Sequence, residues 1–452
     1  MTSSTSTGSG PGAENGTQPG PSSKKKYLWY DCDPGVDDAI ALILAVANTS
    51  TTFNTELLGV STVAGNVNLA KTTTNARKIL YLAGKGKDYP VYPGASRPLL
   101  RDPKFADHIH GDTGLDGTDT LGKIRLENYN SEEQLQLGGG KNKHAVEAMR
   151  DAILSTPRHT SWLVCTGPLT NTALLFSLYG DKICGHLAGF VFMGGAVALG
   201  NINSAVEFNC HCDPEAAKMV IEVYCAKIRT ALMVPLDLTT LALAGPDFET
   251  RVAQIFSTSQ ENYQEPDLAR TVRQLLRRAG ENYGNWRNPE VLLNLERYGH
   301  AAKNQYPLHD PIAVFFVLFP EAFRNEKDRE KYLNLHEVAR EDDDRGQRQN
   351  GEDGDGEQQS GPAAAPTLPN YSSPQSLGFV EKHRVFVDVT TTGPGSLQSS
   401  RLSPAGQTVV DFDSREEGEK NLFIAFRMDF EMFWKEILAA IRTCGEKRIV
   451  AE

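Results

Sequence analysis

The 452-residue chain is 40% apolar and carries a formal net charge of −11. That apolar content over that length supports a large soluble core, in one big domain or two medium ones, and the acidic balance argues against nucleic acid or an anionic membrane as the main partner. No stretch approaches the roughly 18 uncharged apolar residues that a membrane span requires.

Residues 1–23 are rich in Ser, Thr, Gly and Pro, lack the apolar centre of a secretory signal, and cannot bury enough surface to fold. With Lys24-Lys25-Lys26 they read as a disordered tail over 1–26. From residue 27 onward short β-rich runs alternate with helical patterns. "KYLWYDCD", "ELLGVSTVAGN", "SWLVCTG", "LAGFVFMGG" and "IRTALMVPLDL" read as strands. "LAKTTTNARKILYLAG", "HAVEAMRDAILST", "LTNTALLFSLYG" and "DPEAAKMVIEVYCA" read as helices, the last opened by Asp213 as cap and Pro214 as first helical residue. The expected fold is α/β, a mainly parallel central sheet with helices on both faces. A second low-complexity segment, 341–376, reads as an exposed acidic insertion, after which folded-looking sequence resumes at "HRVFVDVT". The last helix, 429–442, sets Phe430, Phe433, Trp434, Ile437, Leu438 and Ile441 on one core-facing side.

The cysteines, Cys32, Cys165, Cys184, Cys210, Cys212, Cys225 and Cys444, are few, odd in number and mostly set in apolar segments. They read as reduced, buried thiols of an intracellular protein, cytoplasmic, with the nucleus left open. Cys210-His211-Cys212 has no second Cys or His pair at finger-like spacing and reads as core.

The unusual polar residues fall after strands, where open α/β sheets bind ligands. The first strand ends in "YDCDPGVDDA", with Asp31, Asp33, Asp37 and Asp38 inside eight positions; the second ends in "AGN" with Asn66 and a later one in "CTGPLTN" with Thr166. "MGG" leads into "GNINSAVEFNCHC", and "YPLHDP" precedes an apolar run. Carboxylates crowded this densely repel one another and need a counter-charge. One aspartate can cap a helix, but capping leaves three charges unexplained. Oxygen ligands without sulfur or histidine suit a hard cation such as Ca²⁺, which takes about 6–8 of them.

"DCDPGVDDA", "STVAGN", "TGPLTN", "MGG", "GNINSAVEFN", "DPEAA" and "LHDP", in this order, resemble the inosine-uridine nucleoside hydrolase family from about residue 27 to the C-terminus, where "GQTVVD" at 406–411 also fits. The resemblance implies calcium-dependent hydrolysis of the N-glycosidic bond of ribonucleosides, with uridine favoured, in nucleoside salvage. It implies Ca²⁺ held by Asp33, Asp38, Asp310 and the Thr166 carbonyl, with Asp33 as general base toward the attacking water. Asp37 and Asn66 would meet the 2′-hydroxyl side of the ribose, Asn209 the 3′-hydroxyl, and Asn201 with Glu207 the 5′-hydroxyl. Met193 would lie under the sugar, and His309 and His110 beside the leaving base. It also implies a homo-oligomer, dimer or tetramer. The base itself is expected to meet segments 101–117 and 265–306, where Tyr283, Trp286 and Tyr298 could stack or merely pack helices.

Three other readings compete. A Mg²⁺ phosphotransfer enzyme would want an anion-binding lysine or glycine-rich cradle that the later motifs do not supply. A non-catalytic nucleoside- or calcium-binding module would be expected to lack Asp33 or another ligand, and none is missing. A ribosyl-transferring enzyme shares the sugar chemistry and is separated from a hydrolase by its need for phosphate.

Overall fold

The computed structural model describes residues 25–49, 54–124, 126, 143–257, 264–285, 304–323, 386–391, 405–411 and 421–449. Both low-complexity segments, and Trp286 and Tyr298, lie outside these.

Apolar alternation along the first strand sets the layers. In β1 (Lys26–Cys32), Leu28, Tyr30 and Cys32 join one core cluster and Trp29 joins another, as the two-residue period of a strand requires. A strand apolar on both faces belongs inside a covered sheet. The sheet has seven strands in the order β11-β6-β5-β4-β1-β2-β3, formed by β1, β2 (Thr55–Thr62), β3 (Val91–Pro93), β4 (Ser161–Cys165), β5 (Gly189–Met193), β6 (Ala231–Val234) and β11 (Phe423–Ile424). Every pairing in it is parallel.

The helix patterns fall where expected. Helices α1 (Val36–Ala47) and α2 (Leu69–Leu82) follow β1 and β2, α3 (Ala145–Ser155) and α4 (Thr170–Cys184) flank β4, and α5 (Phe208–Cys212) and α6 (Pro214–Lys218) follow β5. Asp213 caps α6 through the Ala216 N–H at 3.1 Å, with Pro214 at its first position. The expected single helix from Asp213 to Ala226 instead widens into a π-helical turn at Met219–Tyr224 and ends in a tight turn at Cys225–Lys227. Helices α7 (Asp267–Asn285), α8 (Pro311–Leu318) and α9 (Phe430–Ile449) pack with α1 over one face of the sheet; α3 and α4 cover the other. In α9, Phe433, Ile437, Leu438 and Ile441 are buried while Phe430 and Trp434 lie against the cluster. All seven cysteines are buried and none is in a disulfide.

Strand order reverses between β1 and β4: the chain runs outward from β1 through β2 and β3, then returns to β1's other side for β4, β5 and β6. The crevice at the carboxyl ends of β1 and β4 is therefore the switch point, where such sheets bind ligands. Two small ladders flank it, β7 (Leu243–Ala244) with β8 (Tyr306–Pro307) and β9 (Phe386–Val389) with β10 (Thr408–Asp411), both antiparallel.

Candidate active site

Where β1 ends, the chain turns through Asp33-Pro34-Gly35 into α1. Asp38, three residues inside the helix, accepts the Gly35 N–H at 3.1 Å and so caps its own first turn. Position 35 has no room for a side chain, since a Cβ there would come within 2.5 Å of the His110 ring. That ring accepts the Val36 N–H at Nδ1, 3.2 Å away. Asp310 likewise opens a helix, standing just before Pro311 of α8. Two helix N-termini, whose partial positive charge favours anions, thus carry Asp37, Asp38 and Asp310 toward one point.

Ligand-capable oxygens of Asp37, Asp38 and Asp310 lie within 4.8 Å of one another, all buried. Asp33 stands beside them. Its Oδ2 accepts the Asn66 N–H at 2.7 Å, while its Oδ1 is buried with no hydrogen-bond partner. The Asn66 amide Nδ2 reaches the Asp33 carbonyl at 3.2 Å and Asp38 Oδ2 at 3.3 Å. Thr166 Oγ1 lies 2.7 Å from Asp38 Oδ1 and 2.9 Å from the Tyr30 hydroxyl. Burial first, then mutual repulsion, pushes the Asp33 and Asp310 carboxyls well above the usual range; burial raises Asp38 too. Asp37 is pushed to about 7 by burial and by Asp38. No basic side chain is among the leading influences on any of the four. Clustered hard oxygens with an unpartnered buried carboxylate oxygen among them are the donor set of a hard-metal site, and the residues present fit one.

Asp31, the remaining aspartate of the motif, has other partners. Its Oδ1 accepts from Ser61 Oγ at 2.5 Å and Asn171 Nδ2 at 2.9 Å, and burial raises it to about 6.

The opposite wall comes from the end of β5. Gly194 and Gly195 take positive φ angles of 157° and 74°, and the Gly195 N–H donates to Glu207 Oε2 at 2.9 Å. Glu207 also accepts the N–H groups of Asn209 (2.7 Å) and Cys210 (3.0 Å), so it caps α5 and pins it to β5. Asn209 Nδ2 donates to the Thr166 carbonyl at 2.8 Å and the Met193 carbonyl at 3.3 Å. Asn201 Oδ1 accepts the Phe208 N–H at 2.9 Å. Asp237 takes the N–H groups of Val197 (2.7 Å) and Ala198 (2.9 Å), and the Thr408 hydroxyl accepts the Ala196 N–H at 2.9 Å.

Together these walls line one open cleft. Ten of the twelve residues singled out in the sequence line it: Asp37, Asn66, His110, Thr166, Met193, Asn201, Glu207, Asn209, His309 and Asp310. Asp33 and Asp38 lie against it through Asn66 and Thr166. His309 Nδ1 is 2.7 Å from Thr239 Oγ1, and burial drops its pKa, like that of His110, to about 3. Both rings are therefore neutral near pH 7, suited to giving a hydrogen bond rather than a proton from a charged form.

Several lining groups were not singled out. Tyr306 donates its hydroxyl to Asp37 Oδ1 at 3.0 Å, and Ile109, Leu199, Ile202, Phe208 and Leu236 supply apolar surface. Tyr283, one of the three aromatics named in 265–306, also lines the cleft. The supports Asp237 and Thr408 carried no local signal, because their partners lie 40 and 212 positions away.

Comparison with known proteins places the chain in a family. The chain is 39% identical to a uridine nucleosidase of Saccharomyces cerevisiae over 302 residues, 64% of this chain and 75% of that protein. It is 29% identical to an inosine-uridine preferring nucleoside hydrolase of Crithidia fasciculata over 421 residues, 93% and 99% of the two chains. Among solved structures it shares the fold of a purine-preferring ribonucleoside hydrolase from Gardnerella vaginalis, with a TM-score of 0.63 at 20% identity over 93% of this chain and 100% of that one. Residues 28–435 match the family described as inosine-uridine preferring nucleoside hydrolase; the chain belongs to that family and is a ribonucleoside N-ribohydrolase.

Proposed function

We propose that this enzyme hydrolyses the N-glycosidic bond of uridine in preference to other ribonucleosides, releasing ribose and the free base for salvage, and that it depends on Ca²⁺ held by Asp33, Asp38, Asp310 and the Thr166 carbonyl. The observation that carries the metal reading is Asp33 Oδ1, a buried carboxylate oxygen without a partner beside three converging carboxylates. The uridine preference draws its support from the name of the yeast relative. Inosine and other nucleosides remain in the test panel.

The reaction passes through an oxocarbenium-like sugar, so electron-rich oxygens around the ribose stabilise its transition state more than its ground state. Asp37 and Asn66 face the cleft from the metal side, and Asn201, Glu207 and Asn209 from the β5 side; a ribose between them would be held from both edges. When bound, the cation neutralises the carboxylates and acidifies the attacking water. Asp33 takes that water's proton at its open oxygen. His309 and His110, both neutral, can offer hydrogen bonds to the departing base.

Ribose release should be measured from a nucleoside panel with Ca²⁺, after chelation, and with and without phosphate. Release from uridine that needs Ca²⁺ and not phosphate is expected. Asp33→Asn should lower kcat by ~10²–10⁴, the range for losing a general base, while nucleoside binding survives better. Uridine binding without ribose release at saturating Ca²⁺ would favour a binding module instead, and an unchanged kcat in Asp33→Asn would remove Asp33 as the base.

A further inference from the structure

The two cleft histidines differ in what fixes their rings. A neutral imidazole carries one proton, on Nδ1 or on Nε2, and the partner at one nitrogen decides what the other presents. For His110 the main chain decides: Nδ1 accepts the Val36 N–H at 3.2 Å, so the proton is on Nε2. For His309 the partner at Nδ1 is a hydroxyl, Thr239 Oγ1 at 2.7 Å, a group able to give or to take a proton.

The surroundings of Thr239 decide the direction. It ends a short helix, Leu236–Thr239, just past β6, and the β7–β8 ladder that follows, continued by the Leu308 N–H on the Ala242 carbonyl at 2.9 Å, brings His309 back beside it. Thr239 is fully buried and, unlike Thr240 and His309, does not line the cleft. A helical threonine often returns its hydroxyl proton to the carbonyl four residues back, as Thr240 does to Leu236 at 2.8 Å. For Thr239 that carbonyl is Pro235, already taken by the N–H groups of Leu238 and Thr239 at 3.1 Å each. Among the described residues Thr239 Oγ1 bonds only to His309. If Nδ1 were the donor, the hydroxyl proton would be buried with no acceptor, which folded proteins avoid.

We infer that Thr239 fixes the tautomer of His309: its hydroxyl donates to Nδ1, the ring proton stands on Nε2, and His309 meets the departing base as a hydrogen-bond donor. This rests on the proposed nucleoside hydrolysis and adds a positioning residue that acts through His309. When the glycosidic bond breaks, the base keeps its electron pair, and a neutral N–H at its edge stabilises that charge without giving up the proton.

Thr239→Val keeps the shape of the side chain and removes the hydroxyl, whereas Thr239→Ser keeps the hydroxyl. Nitrogen-15 NMR of the histidine side chains, on the Ca²⁺-loaded protein without nucleoside and with His309→Gln identifying the signal, should show His309 protonated at Nε2 in wild type and Thr239→Ser. Thr239→Val should show a mixture of tautomers, with His110 unchanged. With uridine, kcat of Thr239→Val should fall about 10- to 100-fold with KM within about threefold, the pattern of an interaction made in the transition state, and Thr239→Ser should stay within about threefold of wild type. A riboside whose leaving group is 4-nitrophenolate, stable as an anion without a donor, should be cleaved by Thr239→Val within about threefold of wild type, a result that loss of folding would not give. His309 protonated at Nδ1 in wild type, an unchanged uridine kcat in Thr239→Val, an equal loss on the nitrophenyl riboside, or a Ser variant as impaired as the Val variant would each overturn the inference. A wild-type protein that releases no ribose from any nucleoside would instead sink the hydrolase reading, while the NMR result would still decide the tautomer.

Discussion

Removing one charge from the acidic cluster should stabilise the metal-free protein, and only at higher pH. Burial and Asp38 raise the Asp37 carboxyl from 3.8 to about 7. Between those values the folded chain holds a proton at Asp37 that the unfolded chain has lost, so the folded state binds more protons and this group's contribution to stability falls as pH rises. The full move corresponds to ~4 kcal/mol, of which ~3 kcal/mol falls between pH 5 and pH 8. Asp37→Asn abolishes that titration, and its amide oxygen can still accept from Tyr306. His110 and His309, lowered to about 3 by burial, contribute in the opposite sense, stability rising with pH up to their unfolded value. Comparing variant with wild type cancels them. Urea unfolding of the two stripped proteins from pH 5 to pH 8 should show Asp37→Asn gaining ~3 kcal/mol on wild type across that range. Saturating Ca²⁺ should erase most of the gain by restoring the counter-charge. A difference that does not change with pH, or a variant less stable than wild type at pH 8, would refute the reasoning.

Asp237→Ala leaves the Val197 and Ala198 N–H groups without their carboxylate; a stability loss of ~2–4 kcal/mol is expected, and KM should rise more than kcat falls, because the loop leads directly into Leu199, Asn201 and Ile202 of the cleft wall. Thermal unfolding and uridine kinetics check both, and wild-type KM would show that the wall does not depend on this carboxylate. Deleting 341–376, outside the described residues, should leave ribose release within a small factor of the parent, since its composition has almost no core-forming side chains. Loss of activity in a folded deletion variant would show that the segment serves the site.

Much of the architecture was legible because its causes are local. Apolar runs of strand length alternating with amphipathic segments correspond to β1, β2, β4, β5 and β6 and the helices between them. The strands end earlier than the apolar runs suggested. β2 stops at Thr62 and β6 at Val234, before "VAGN" and before Pro235, and the leftover residues become the loops of the crevice. The two edge strands, β3 and β11, have three and two residues, too short for any two-residue alternation to register. The π-helical turn at Met219–Tyr224 is likewise silent in sequence: apolar spacing there suits a continuing helix, and the wider turn appears where the segment packs Val220 and Ile221 into the core.

The site divides in the same way. Residues bearing charge at improbable density, Asp33, Asp37 and Asp38, announced themselves, as did Asn66 and Thr166 beside them, while Tyr306, which meets Asp37 from 269 positions away, did not. Glu207 shows why the two are hard to separate. Read as a hydroxyl clamp, it turns out to hold the backbone N–H groups of Gly195, Asn209 and Cys210. An ionised carboxylate has about four acceptor positions; three are committed to main-chain N–H groups that hold β5 against α5, and the Cys210 thiol is a further partner. A clamp built this way is rigid before any ligand arrives, because the bonds that fix it are to main chain at both ends. The same bonds place Asn209, whose amide reaches the carbonyls of Thr166 and Met193, and through Thr166 Oγ1 the chain of contacts arrives at Asp38. The cation side and the sugar side of the cleft are thus one connected hydrogen-bonded structure, in which displacing Glu207 would disturb the carboxylates across from it without touching them.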